Sequence, residues 1–65
     1  MTDISIQDHG SIVMFVPLTE GGTEFLTTEV QTEAWQWMGH SLAVDHRMAG
    51  GLIEACQDNG LEVRF

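Results

Sequence analysis

The chain has 65 residues, with ten acidic side chains against two arginines and no lysine, a formal net charge of −8 with histidine neutral. A chain this short buries only about 60% of the surface it exposes when unfolded, so residues 1–65 make a single domain with a thin stability margin. Uncompensated like charges erode that margin, while a hydrophobic fraction of 43% separates the chain from disordered acidic tails.

Met1 to Gly10 is polar and without clear period, which predicts a flexible or loosely docked start. Ser11 to Val16 is β-branched and aromatic without alternation, as suits the middle strand of a small sheet, and Pro17 ends its ladder. Thr19 is placed to cap a first helix, along which Phe25, Leu26 and Val30 recur at helical spacing. Its glycines and threonines are poor helix formers, and a strand over the same stretch is the alternative. Gln31 to His40 reads as a connector carrying Trp35 and Trp37. Ser41 to Val44 is a short strand. Asp45 then caps the best helix of the chain, His46 to about Asn59, with Ala49, Leu52, Ile53 and Cys56 as the inner stripe and Met48 and Ala55 on its flank. Gly60 supplies a left-handed stop. Leu61 to Phe65 alternates and closes the chain as a strand.

The sum is an α/β (α+β) two-layer sandwich, β-α-β-α-β, with a three-stranded sheet and two helices on one face. Short links around the second helix favour a parallel strand pair. That pair is either adjacent or split by the first strand, and the apolar character of the first strand favours the split arrangement.

The charges fall on the helices at a regular spacing. Glu20 and Glu24 lie four apart on the first helix, and Glu54 and Asp58 repeat this on the second. Like charges four apart on a helix destabilise it by roughly 0.2–0.5 kcal/mol per pair, and Asp58 also meets the unfavourable end of the helix dipole. Neither pair has a lysine to offset it. Glu29 and Glu33 extend the acidic surface. Duplex DNA carries one negative charge per roughly 1.7 Å of axis, and rows of carboxylates can engage the same Lys and Arg rows that bind it. The alternative is a solvated face with no partner. Gly50 and Gly51, together costing roughly 1–2 kcal/mol relative to alanine, point away from the inner stripe. They either let a partner approach beside Glu54 or mark a bend or a contact with the N-terminal segment.

Trp35 and Trp37 point to one side if the connector is extended and diverge if it is helical. Trp37, with Met38, is expected to roof the core, which leaves Trp35 beside Glu33 as an exposed interface anchor. His9, His40, His46 and Cys56 lack metal-ligand spacing, and Cys56 falls on the buried stripe. No phosphate loop, nucleophile elbow or zinc motif occurs. No catalytic residue, metal or cofactor is therefore expected. A lone cysteine excludes an internal disulfide and suits a reducing cytoplasm. The longest apolar run, Ile12 to Leu18, is too short to cross a bilayer, and no basic signal-peptide start precedes it.

Gln36-Trp37-Met38-Gly39, Leu42-Ala43-Val44-Asp45-His46-Arg47 and Gly60-Leu61-Glu62-Val63-Arg64 together resemble short reading frames of phages and mobile elements. With its size and acidity, the chain resembles the anti-CRISPR inhibitors directed at type I surveillance complexes. That resemblance implies a small, non-enzymatic protein of the bacterial cytoplasm, and several members of the group act as DNA mimics. The group has no common signature, so the candidate site, Glu20, Glu24, Glu29, Glu33, Glu54, Asp58 and Trp35, rests on charge geometry. The expected partner is a protein with a basic nucleic-acid-binding groove, a CRISPR complex subunit, with no direct binding to nucleic acid or membrane and with the chain a monomer. The alternative function is a small phage or plasmid adaptor that meets a protein partner through a Trp and Gly surface.

Overall fold

The first segment of the chain is a strand. In the computed structural model, which describes residues 1–30 and 32–65, β1 (Ile4–His9) pairs antiparallel with β2 (Ile12–Pro17) from Ile4↔Pro17 to His9↔Ile12. The predicted flexible start is thus corrected: Ile4 has no exposed surface and Ile6 is buried. The alternation Ile4-Ser5-Ile6-Gln7 sends both isoleucines to one face. Gly10 then makes the reversal, at φ +83°, with its N–H donating to Asp8 Oδ1 at 2.9 Å. A positive φ at the first position of a two-residue hairpin loop matches the twist of the flanking strands, and glycine adopts it without strain.

The same device recurs at Gly39, φ +67°, between β3 (Trp37–Met38) and β4 (Ser41–Asp45). The predicted connector from Gln31 to His40 therefore carries a 3-10 turn (Ala34–Gln36) and a short strand; Gln31 itself lies outside the described residues. With β5 (Val63–Arg64), the sheet has five strands in the order β3-β4-β2-β1-β5. The fold is α+β, and the three-stranded expectation is corrected to five. β1 and β5 are parallel and the other neighbours antiparallel. The strands before and after the second helix are parallel and split as expected, but by two strands, β2 and β1. The last strand is shorter than expected, because Leu61 and Glu62 serve as its approach.

Register places all the buried strand residues on one face. Ile6 stands opposite Phe15, Phe15 opposite Leu42 and Val13 opposite Val44. Both helices supply the cover for this face. Thr19 caps α1 (Glu20–Glu24), its hydroxyl accepting from Gly22 N at 3.1 Å. The chain then widens into a π turn (Phe25–Glu29) and Val30 is extended, so the first helix is shorter than its apolar spacing suggested. Thr23, Thr27 and Thr28 donate their hydroxyls to carbonyls one turn back, a pattern that bends helices. The widened turn sends both Phe25 and Leu26 inward.

The second helix, α2 (His46–Asp58), is capped by Asp45, whose side chain accepts from Arg47 N. Ala49 and Cys56 on its inner stripe are buried, whereas Leu52 and Ile53 are half-buried and Met48 is exposed. Phe15, Ile4, Leu26, Leu42 and Cys56 are the largest fully buried side chains. One contact locks the layers: Asp3 accepts from the Thr19 hydroxyl at 2.7 Å with Oδ1 and from Glu62 N at 2.9 Å with Oδ2. A single carboxylate thereby joins β1, the start of α1 and the approach to β5. Among the described residues, no helix is long and apolar enough to cross a membrane.

Candidate functional site

The ten carboxylates divide into two groups by what they do inside the molecule. Asp3 holds Thr19 and Glu62, Asp8 holds the first hairpin turn, and Asp45 caps α2 and grips Arg47 at 3.1 and 3.2 Å. Glu33 closes a reciprocal capping box with Gln36 around the 3-10 turn. Glu62 accepts from the Thr2 hydroxyl and lies 3.6 Å from the N-terminal amine. The other five, Glu20, Glu24, Glu29, Glu54 and Asp58, are exposed, and among the described residues their carboxylates have no hydrogen-bond or ion-pair partner. All five belong to the helical layer.

The electrostatics follow the same division. The hydrogen bonds from the Arg47 side chain and backbone hold Asp45 down to about 2. The Glu62 N–H, then the Thr19 hydroxyl, lower Asp3. Arg47, one of the two arginines, is committed to Asp45 and cannot neutralise the helical acids. A hollow lined by Glu24, Phe25, Glu29, Asn59 and Leu61 lies where the turn after α1 meets the end of α2. Glu24 and Glu29 stand on its first-helix side, and Asn59, the residue after Asp58, on the other. Of the seven residues expected from the sequence, the structure gathers these five on the helical layer. Glu33 and Trp35 sit elsewhere, in the 3-10 turn beside β3 and β4.

There the structure forms a second surface. A groove of about 690 Å³ runs along β4 between the 3-10 turn and the first half of α2, lined by Ile12, Val30, Trp35, Val44, Met48 and Leu52 among others. Gly51 forms part of its wall, and a Cβ on either Gly50 or Gly51 would meet nothing within 4 Å. These glycines therefore neither pack on the N-terminal segment nor interrupt α2, which is continuous across them. Trp35 is 78% exposed and Met48 69%. Trp37 is half-buried against the core, with its indole N–H donating to Thr32 Oγ1 at 3.2 Å. Met38 does not help to roof the core as expected: it stands opposite Ser41 on the other face of the sheet and is 65% exposed. Met48 and Ile12 were missed as surface residues. The i, i+3, i+4 spacing of Met48, Gly51 and Leu52 was the signal for one of them.

Cys56 is fully buried, and burial pushes its thiol up, which suits packing and disfavours the thiolate needed for reactivity. Among the described residues, no three His, Cys, Asp or Glu side chains come together to hold a metal ion. The chain matches no family model, and no curated protein or solved structure matches it.

Proposed function

We propose that this protein is a non-enzymatic inhibitor that imitates nucleic acid, of the anti-CRISPR type, acting in the cytoplasm of a bacterial host. Its helical layer sets Glu20, Glu24, Glu29, Glu54 and Asp58 against the Lys and Arg side chains of a basic groove that would otherwise hold DNA. A subunit of a type I surveillance complex is the partner that its resemblance suggests. Occupation of the groove excludes the target duplex by steric and electrostatic competition, with no chemical step and no cofactor.

The observation that supports this reading is the division among the carboxylates. Folding uses five of them for caps, turns and layer contacts. The remaining five are exposed on the helical elements, with Glu20 four residues from Glu24 and Glu54 four from Asp58, and among the described residues no ion pair offsets them. Such an arrangement costs stability and is favourable only when cations arrive from outside. Arginine pairs with carboxylates through two parallel hydrogen bonds, as it does with phosphate.

The test is capture of a purified type I surveillance complex on the immobilised protein, at low and high salt, with duplex DNA as competitor. Binding at low salt that is displaced by the duplex and weakened by added salt is expected, since exposed charges are screened over about 10 Å at 0.1 M. Capture indifferent to both salt and DNA would overturn the mimic reading.

A further inference from the structure

We infer that the groove along β4 is a docking site for an extended, apolar segment of a partner protein flanked by Lys or Arg, which adds a strand to the sheet. The groove is lined by the first half of α2 and the 3-10 turn and includes none of Glu20, Glu24 and Glu29, so its occupation does not require the acids of the first helix.

Three observations select this occupant. The first is an incomplete sheet edge. Among the described residues, β3 pairs with Leu42 and Ser41 alone and no strand pairs with Ala43 to Asp45 on that side, and these three residues line the groove. The direction of the backbone follows from the neighbouring pair. His46 N donates to Ser11 O at 3.0 Å, which continues the β2–β4 register in which Ile12 faces Asp45. In an antiparallel ladder, hydrogen-bonded and non-bonded pairs alternate. Val44 therefore bonds toward β2, and Ala43 and Asp45 turn their amides to the uncovered edge. The Ala43 carbonyl indeed points there, because Gln36 Nε2 donates to it at 3.2 Å. A side chain caps one of the groups that an added strand would use.

The second observation is the apolar character of the walls on both sides of that edge. Trp35, Met48 and Ile12 are 78%, 69% and 40% exposed, in a chain small enough that each large apolar group is needed in the core. Strand addition draws affinity from the main chain and specificity from pockets for alternate side chains, and this groove supplies both. An exposed tryptophan at the rim has the character of an interface anchor.

The third observation is charge. Arg47, the one cation among the described residues that line the groove, is held by Asp45 at 3.1 and 3.2 Å. Glu54 stands one turn beyond Gly51 on α2, and Glu33 lies two residues before Trp35. With a net charge of −8 on the whole chain, a segment flanked by basic residues is drawn in. A second copy of this chain is repelled.

The test is selection of a displayed random-peptide library on the whole protein at near-physiological salt, followed by titration of the enriched peptides into isotope-labelled protein. The expected result is enrichment of peptides with alternating apolar residues and basic flanks, with the largest amide shifts at Ala43, Val44 and Asp45. Trp35→Ala should weaken binding by about tenfold or more, and so should methylation of alternate peptide backbone nitrogens. Gly51→Leu is the decisive variant. It fills the groove where nothing stands within 4 Å and improves helix propensity, so loss of binding by a folded, more heat-resistant variant cannot come from unfolding. Peptides that bind Gly51→Leu as well as the parent would overturn the inference. Failure to enrich any peptide, shifts confined to residues 20–29 and the end of α2, or concentration-dependent dimers that occupy the groove would do the same.

Discussion

Two glycines that look alike in sequence should respond to alanine in opposite directions. A Cβ at Gly22 would stand 2.5 Å from the Asp3 carbonyl oxygen and 3.2 Å from Ile4 Cγ1. That oxygen is backbone, it accepts from Leu18 N at 2.8 Å, and its residue is pinned by Thr19 and Glu62. Overpacking of this kind costs about 1–3 kcal/mol, and a weakened backbone hydrogen bond adds about 0.5–1.5 kcal/mol. Against this, alanine gains about 1 kcal/mol over glycine in a helix. The net for Gly22→Ala is a loss of about 0.5–3.5 kcal/mol, and in a domain of this size each kcal/mol lowers Tm by roughly 4–8 °C. Gly51→Ala meets nothing within 4 Å and should gain up to about 1 kcal/mol. Urea and thermal unfolding followed by circular dichroism measure both variants against the parent. If Gly22→Ala is as stable as the parent, α1 does not seat on the β1 backbone and the layer contact at Asp3 is wrong.

Acid should weaken the fold through its committed carboxylates. Asp45 is held to about 2 by Arg47 and Asp3 is lowered by Glu62 and Thr19, against an unfolded carboxyl near about 3.9. A carboxyl lowered in the folded state stabilises above its unfolded value and loses that contribution as pH falls toward its folded one. Asp45→Asn should therefore show a shallower decline in urea midpoint between about pH 4 and pH 2 than the parent, and an equal slope would refute the assignment. Trp35→Ala should leave stability nearly unchanged and remove most of the readily quenched fluorescence, because Trp35 is 78% exposed. Trp37→Ala should lose roughly 2 kcal/mol, about half the cost of truncating a fully buried tryptophan. The Cys56 thiol, fully buried and pushed up by burial, should react with a maleimide only after denaturant is added, and rapid labelling of the native protein would contradict its place in the core.

Sequence pattern reached the parts of this fold that are locally determined. Asp45 and Thr19 are recognisable caps, Ala49 and Cys56 mark the inner stripe of α2, and the apolar run around Val13 and Phe15 reads as an interior strand. β1 escaped because only Ile4 and Ile6 declare it, beside polar residues whose partners are distant. β3 is too short to show a period; its signal is Gly39 followed by His40 before the next apolar residues. The acid spacing on the helices was legible, but the division among the carboxylates was not. Asp3 and Glu62 acquire their roles through contacts spanning 59 residues, and no local rule separates them from Glu54. The exposure of Trp35 and the burial of Trp37 could be argued from economy of core residues. The union of Trp35 with Met48 and Ile12 in a groove depended on the strand order.

Nucleic-acid mimicry is tested by displacement of a labelled duplex from a purified type I surveillance complex by the parent protein and by Glu20→Gln, Glu24→Gln, Glu29→Gln, Glu54→Gln, Asp58→Gln combined. The parent is expected to displace the duplex, and the combined variant, folded and at least as stable, is expected not to. Equal displacement by the folded variant would contradict mimicry.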